Sequence, residues 1–168
     1  MTEAAAFPEC ESAGKLQADQ LCACVIRLYE LITAPKQPTL YRAELWTLTG
    51  DKAKASSTAI YVAVKTADDR TLLASATGAD CSVDGAAWTI YVHKSSHIVP
   101  LVVEAPGISK ADCGGFLVRM WVKTYNIDEP WTIDTVGITL YFSDGTNLVA
   151  ENVAVELLRD ASTEFAAP

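Results

Sequence analysis

The sequence predicts an all-β protein, an antiparallel sandwich or barrel of eight strands. Between Leu40 and Arg159 the chain consists of short segments in which apolar and polar residues alternate, which is the period of a strand with one buried face. Turn residues, rather than segments long enough for crossover helices, separate these strands. Strands joined in this way pair antiparallel, because a parallel pair needs a long connection.

The N-terminal segment differs in pattern from the rest of the chain. Residues 1–14 are small, acidic and rich in alanine, so we expect a flexible arm there. Residues 15–33 form either a helix or a first strand; propensity favours the helix, and the segment ends at Ala34–Pro38. The helical interpretation depends on four apolar residues that recur at the spacing of one helix face: Leu21, Val25, Leu28 and Ile32.

Eight segments carry the strand pattern. They are Leu40–Thr49, Thr58–Thr66, Thr71–Ala76, Ala87–His93, Ile98–Glu104, Phe116–Tyr125, Thr132–Phe142 and Leu148–Leu158. The alternation is clearest in Phe116–Tyr125, where one face is apolar and the other is largely polar. Trp121 lies on the polar face, so we expect it to contact another element or another subunit.

Length and composition are those of one domain with its own core. At 168 residues, 50% of them apolar, the chain is expected to bury roughly 70% of its unfolded surface. We assign residues 15–160 to a single β-sandwich domain and residues 161–168 to a C-terminal tail. The net charge of −8 repels nucleic acid and anionic membranes, and no apolar stretch is long enough to span a bilayer.

The five cysteines follow no known framework. Their odd number predicts reduced thiols in a cytosol-like compartment. The N-terminal segment, in which the first cysteine is Cys10, lacks the features of a secretory signal. Cys22, Cys24, Cys81 and Cys113 could form a four-thiolate zinc site, but one residue between Cys22 and Cys24 is fewer than zinc sites use. Buried thiols that pack as small apolar side chains are the favoured interpretation.

Two other groups have metal-ligand chemistry. His93 and His97 lie about 13 Å apart on an extended chain, so they can share a metal only if the residues between them fold back. Four aspartates could supply oxygens to calcium at a subunit contact: Asp68, Asp69, Asp80 and Asp84. They occupy turn positions without a calcium-loop spacing, which favours a turn role. The sequence therefore predicts no metal, no cofactor and no enzyme active site.

Four segments carry a resemblance to a known family. They read AIYVAVKTADDRTLLASATGADC, VGITLYFSDGTNLVAENVAVELLRDASTEF, LYRAELWTLTG and IVPLVVEAP. The first (Ala59–Cys81) resembles a bromovirus coat strand, acidic turn and following strand, and the second (Val136–Phe165) resembles the last hairpin and tail of that family. The other two are similar to tymovirus coat segments. Both groups are jelly-roll coat proteins of small icosahedral plant RNA viruses.

The resemblance implies a jelly-roll subunit that assembles with its own copies into an icosahedral shell around a viral genome. Such a protein is found in the virion and assembles in the host cytoplasm. In bromovirus coats the C-terminal tail reaches a neighbouring subunit, a role that falls here on residues 161–168 with Phe165 as the apolar anchor. Those coats also have an Arg-rich arm that this chain lacks. Tymovirus coats lack one too, so RNA stays a candidate partner.

We therefore predict a non-catalytic virion structural protein whose subunit contacts include Trp121, Phe165 and Trp131. The alternative is a β-sandwich binding or accessory module, such as a phage decoration or tail protein or a ligand-binding domain. A fixed small oligomer and a ligand-dependent melting temperature would distinguish the second hypothesis from the first.

Overall fold

The chain divides into two compact units between Lys36 and Gln37. The computed structural model describes residues 18–33, 37–79, 90–124 and 130–167. In the first unit, Ala18–Thr33 forms helix α1, so a helix rather than a first strand occupies this segment. We expected one domain over residues 15–160 with a tail after it. The observed strand unit instead starts at Gln37 and takes in Ser162–Ala167 as its last strand.

The second unit contains eight strands and a one-turn helix. Their bounds are β1 (Leu40–Thr49), β2 (Thr58–Thr66), β3 (Leu72–Ala79), β4 (Ser96–Val103), α2 (Lys110–Cys113), β5 (Phe116–Thr124), β6 (Trp131–Phe142), β7 (Asn147–Leu157) and β8 (Ser162–Ala167). All predicted strands but one are present, with ends that shift by a few residues at most. The exception is Ala87–His93, whose described residues, 90–93, form only an isolated bridge between Tyr91 and Lys54.

Every strand pair is antiparallel, and the strand order is β7-β6-β1-β4-β3-β2-β5-β8. The prediction of an all-β, antiparallel, eight-stranded fold is therefore confirmed. Strands β2 to β5 follow a Greek-key path, because β5 lies beside β2 rather than beside β4. Jelly rolls are built from connections of this type.

Strand β4 belongs to both halves of the structure. Its first six residues, 96–101, pair with β1, whereas Val102 and Val103 pair with β3. The strands therefore form two layers of four, β7-β6-β1-β4 and β3-β2-β5-β8, with the core between them. On the opposite side the edge strands β7 and β8 are joined by a side-chain hydrogen bond, in which Asn152 Nδ2 donates to Thr163 Oγ1 at 3.2 Å.

Each strand contributes one face to the core, as the alternation requires. Leu45 of β1, Val64 of β2, Val118 of β5 and Ile138 of β6 are all inaccessible to solvent or nearly so. Their neighbours along each strand point outward and form the two outer faces of the sandwich. The functional surfaces of this protein are therefore set by which residues occupy the alternate positions.

Trp46 is packed against a glycine on the outer side of the β1–β6 pair. It lies directly opposite Gly137 in the ladder. A Cβ atom at Gly137 would lie 2.5 Å from Trp46 Cε2 and 2.9 Å from the carbonyl oxygen of Ala150. The absence of a side chain at residue 137 therefore allows the indole to lie flat on the sheet.

We expect Gly137→Ala to lower the free energy of unfolding by about 1–3 kcal/mol, because the new methyl group overpacks this contact. Urea denaturation of the variant and of the original chain measures the difference. In a Trp46→Leu background the penalty should become smaller, since the indole is gone. An equal penalty in both backgrounds would contradict the role assigned to Trp46.

Candidate self-association surface

The outward surface of the layer β7-β6-β1-β4, here called the outer β-face, carries several exposed apolar side chains among polar ones. On β4, Ile98, Pro100 and Val102 point outward, since they alternate with the buried Val99 and Leu101. Ile98 and Val102 are each about two-thirds exposed. Full exposure of two branched aliphatic side chains on one strand is unfavourable in water.

The register extends this apolar character across the layer. Ile98 lies opposite Trp46. At the far edge, Val153 of β7 lies opposite Thr135 and is also about two-thirds exposed. The apolar members of the outer β-face are Trp46, Leu48, Ile98, Pro100, Val102, Val149 and Val153. The alternation within single strands did not reveal this surface. A comparison of the residues at the outward positions of the predicted strands could have found it.

A polar cluster lies at one end of the outer β-face. Both Arg42 and Tyr141 donate hydrogen bonds to the carboxylate of Glu44, and the Tyr141 Oη to Glu44 Oε2 distance is 2.8 Å. The Arg42 guanidinium also lies over the Tyr141 ring, 5.0 Å from its centroid. Burial by itself would raise the pKa of Glu44, but the hydrogen bonds from Arg42 and Tyr141 outweigh it and lower this pKa below its ordinary value.

The lowered pKa of Glu44 predicts a pH-dependent contribution to stability. Because this pKa is lower in the folded state than the ordinary 4.5 of the unfolded chain, ionised Glu44 stabilises the fold above that pH. The contribution is lost as the pH falls through the folded-state pKa. We expect Glu44→Gln to lower the melting temperature at neutral pH and to have little effect in strong acid.

Thermal melts of both chains across this pH range measure the effect. Glu151→Gln, at an exposed position of the same face, is the matched control for the removal of one carboxylate and is measured at the same pH values. A Glu44→Gln difference that persists unchanged in acid would contradict the assignment.

The other layer carries a groove that brings two of the predicted contact residues together. Trp121 and Phe165 both line this groove, which has a volume of about 380 Å³. Trp121 is half-buried and stacks on Tyr61, with ring centroids 5.5 Å apart. An ion pair between Arg119 and Glu164, with Arg119 Nε 2.5 Å from Glu164 Oε1, links β5 to β8 within the groove.

The tail that was expected to reach a neighbour is a strand of this chain. Residues 162–167 pair with β5, which places Phe165 opposite Val118 on the core side of that strand. Phe165 is half-buried and packs against the core of its own chain. The expectation of a free apolar anchor at this position was wrong, because the backbone of the segment is already paired within the sheet.

Trp131 does not fit its predicted role in a subunit contact either. Its side chain is 2% exposed. The indole meets the ring of Tyr91 edge to face, with centroids 5.5 Å apart, and its Nε1 donates to Thr49 Oγ1 at 3.4 Å. A core tryptophan and an interface tryptophan occur in the same kind of strand sequence, so the pattern could not separate Trp131 from Trp121.

The two tryptophans should therefore respond differently to truncation. We expect Trp131→Ala to cost about 3–5 kcal/mol of unfolding free energy, because it opens a cavity in the core. Trp121→Ala should cost much less, since its side chain is already partly exposed to solvent. Urea denaturation of both variants measures the two losses. Equal losses would contradict the placement of Trp121 on the outer surface.

The two histidines of the predicted pair have different surroundings. The His93 side chain is exposed. The His97 ring stacks on Tyr91 with a centroid distance of 3.6 Å, and its Nε2 is hydrogen-bonded to Ser95 Oγ at 2.8 Å. In the part of the chain that the structure describes, no group of three or more His, Cys, Asp or Glu residues could hold a metal ion.

Asp68 and Asp69 stabilise the turn between β2 and β3. Asp68 accepts hydrogen bonds from Thr66 Oγ1 at 2.6 Å and from the backbone N–H of Arg70 at 3.2 Å, and these bonds lower its pKa. Asp69 forms an ion pair with Lys65 at 2.9 Å. The other two members of the calcium hypothesis, residues 80 and 84, lie outside the described residues.

The cysteines differ from the expectation of reduced thiols. Cys24 takes part in a disulfide bond, so this part of the expectation was wrong. Cys113 is a free, buried thiol whose pKa is raised by burial, which agrees with its interpretation as a small apolar side chain. Cys10, Cys81 and the side chain of Cys22 lie outside the described residues.

The fold and these surfaces define an antiparallel β-sandwich protein with exposed apolar faces. No family model matches the sequence, and no curated protein matches it. Among solved structures, alpha toxin from Clostridium absonum matches with 13% identity and a TM-score of 0.48. This match covers 89% of the present chain but only 37% of the toxin chain. A likeness of this extent identifies neither a family nor an activity.

None of the helices in the described residues is long and apolar enough to cross a membrane.

Proposed function

We propose that this protein is a structural subunit that acts by self-association, with the outer β-face as its contact surface. The observation that carries the proposal is the set of apolar side chains that lie outward on three of the four strands, β4, β1 and β7, of which Ile98, Val102 and Val153 are the most exposed. Single exposed apolar residues are normal on a soluble protein, whereas a contiguous apolar patch marks a site of protein–protein contact. Strands β4 and β7, at opposite edges of the layer, both contribute to the patch.

The geometry of the outer β-face suits a second copy of the same face. Two sheets pack face to face at about 10 Å, with their side chains interleaved. A contact of this kind between identical copies is isologous, so each apolar residue is used twice. Each Ile or Val side chain that becomes fully buried contributes about 1.5–3 kcal/mol relative to an exposed one.

The charges on the outer β-face cancel only in part. The chain has a net charge of −8, so two copies repel each other at long range. Within the outer β-face, Arg42 and Glu44 form an ion pair. The exposed Glu151 on the same face adds a carboxylate from each copy, so the apolar contact has to outweigh this repulsion.

In its specific form, we propose a coat subunit of an icosahedral viral shell. The resemblance of four strand segments to plant-virus coat proteins supports this form, and an eight-stranded antiparallel sandwich agrees with it. The partners of the subunit are its own copies, with RNA as a further candidate, and its location is the virion. Trp121 is a second proposed contact, on the opposite layer.

The proposal is tested by a charge placed on the outer β-face. We expect Ile98→Glu to abolish or strongly weaken self-association, because an ionised carboxylate would have to be desolvated in the contact. Light scattering and negative-stain electron microscopy of the purified protein measure the assembly. Since Ile98 is exposed in the folded chain, the free energy of unfolding should change by less than about 0.5 kcal/mol.

Leu158→Glu provides a matched control just after the end of β7, where Leu158 is also about half exposed and belongs to neither proposed contact. It should leave assembly through the outer β-face intact. Assembly that is unchanged by Ile98→Glu, or an original chain that stays monomeric at every concentration and ionic strength, would overturn the proposal.

A second candidate function is a binding module. It is favoured by the groove at Trp121 and Arg119, whose volume of about 380 Å³ lies in the range of small-molecule sites. A ligand that binds there raises the melting temperature by mass action, without the growth of large assemblies. That outcome would replace the structural-subunit proposal.

A further inference from the structure

The groove over β2, β5 and β8 forms where one small residue lies between larger ones. Ala63 of β2 lies opposite Arg119 of β5. The cross-strand pairs on either side of it contain larger side chains, with Trp121 at one end and Leu117 at the other. Because the methyl group of Ala63 is short, a depression of about 380 Å³ remains between them. This volume lies in the range of small-molecule sites.

Trp121 gives the groove a flat aromatic wall. Its indole stacks on the Tyr61 ring with an interplanar angle of 14°, which fixes its orientation, and its side chain stays partly exposed. The face of an aromatic ring is the negative part of its quadrupole, so it attracts C–H groups that carry a partial positive charge. A pyranose ring presents several such C–H groups on one of its faces.

The ion pair of Arg119 and Glu164 provides a donor and an acceptor side by side. Its contacts join Nε and Nη2 of Arg119 to the same oxygen, Oε1 of Glu164. Among the described residues this leaves Glu164 Oε2 as an acceptor and Arg119 Nη1 as a donor, on side chains that are 61% and 65% exposed. A hydroxyl group both donates and accepts hydrogen bonds. Two neighbouring hydroxyls of a sugar therefore match this pair.

The charges that line the groove cancel one another. Lys65 Nζ forms an ion pair with Asp69 Oδ1 at 2.9 Å, and Arg119 pairs with Glu164. Each cation among the lining residues is thus already paired, which disfavours a phosphate or another anion. An apolar ligand is also disfavoured, because it would remove water from these charged groups without replacing its hydrogen bonds. The groove therefore suits an uncharged ligand that is rich in hydroxyl groups.

The backbone beneath the groove argues against a peptide strand as the occupant. Strands β2, β5 and β8 are paired with one another along the ladders that underlie the groove. A peptide that extends a sheet needs an unpaired strand edge, whereas the groove lies on a face of the sheet. Recognition at this site therefore depends on side chains.

We propose that this groove binds a neutral oligosaccharide, with one pyranose ring against Trp121 and neighbouring hydroxyls on the pair of Arg119 and Glu164. The inference names the ligand class for the second candidate function and does not depend on self-association. The outer β-face belongs to the opposite layer and stays available to a second copy. A subunit contact at Trp121 and a bound sugar exclude each other.

Saturation-transfer difference NMR of the full chain tests the inference with four neutral disaccharides: lactose, maltose, cellobiose and N,N′-diacetylchitobiose. We expect at least one of them to bind at millimolar concentration. The strongest transfer should reach the C–H protons on one face of a ring, since these lie against the indole.

Variants of the groove then locate the bound sugar. Trp121→Ala should weaken binding by about tenfold, because the aromatic contact is lost, whereas Trp121→Phe keeps an aromatic face and should retain part of the affinity. Glu164→Ala should also weaken binding by about tenfold, since a sugar hydroxyl loses its acceptor. Trp46→Leu removes an indole from the opposite layer and is the matched control, which should leave the affinity unchanged.

Far-UV circular dichroism verifies that the sandwich stays folded in each variant. The inference would be overturned if none of the disaccharides binds, if Trp121→Ala leaves their binding unchanged, or if oligouridylate binds more tightly than all of them. The two proposals fail separately. A chain that assembles but binds no disaccharide contradicts the groove inference alone, and a chain that binds a disaccharide but stays monomeric contradicts self-association alone.

Discussion

The pairing of β4 with two different strands is the constraint on which the rest of the sandwich depends. Its first part completes the ladder of β1, and its last two residues start the ladder of β3. Because the two pairings use different residues of β4, 96–101 and 102–103, the strand passes from one layer to the other near Val102. The apolar faces of both layers then meet in a single core.

The same constraint decides which surfaces are available for contact. Once one face of each strand is buried in the core, the alternate residues are on the outside of a layer. On β7-β6-β1-β4 many of these residues are apolar, whereas on β2, β5 and β8 they include the ion pair of Arg119 and Glu164. The two outer faces thus differ in chemistry: one carries exposed aliphatic side chains, and the other carries a groove lined by an ion pair and by apolar and aromatic side chains.

Several site residues could not be predicted because their roles depend on non-local pairing. Phe165 was interpreted as part of a tail, but the segment that contains it pairs with β5, which is about 45 residues earlier in the chain. Trp131 has the same local pattern as a surface strand residue, yet Tyr91 and Thr49 enclose it. His97 stacks on Tyr91, six residues away in the chain. Each outcome depends on which distant strand lies beside the residue.

The sequence by itself determined the positions of most strands, the antiparallel class and the alternation of Phe116–Tyr125, because these depend on local periodicity and turn residues. For residues 15–33 it favoured a helix but left a strand open. Only the tertiary structure decided the strand order, the turn of β4 between layers, the β8 strand and the outer β-face. These features depend on contacts between residues far apart in the chain, where many pairings satisfy the same local pattern and packing of the core selects one of them.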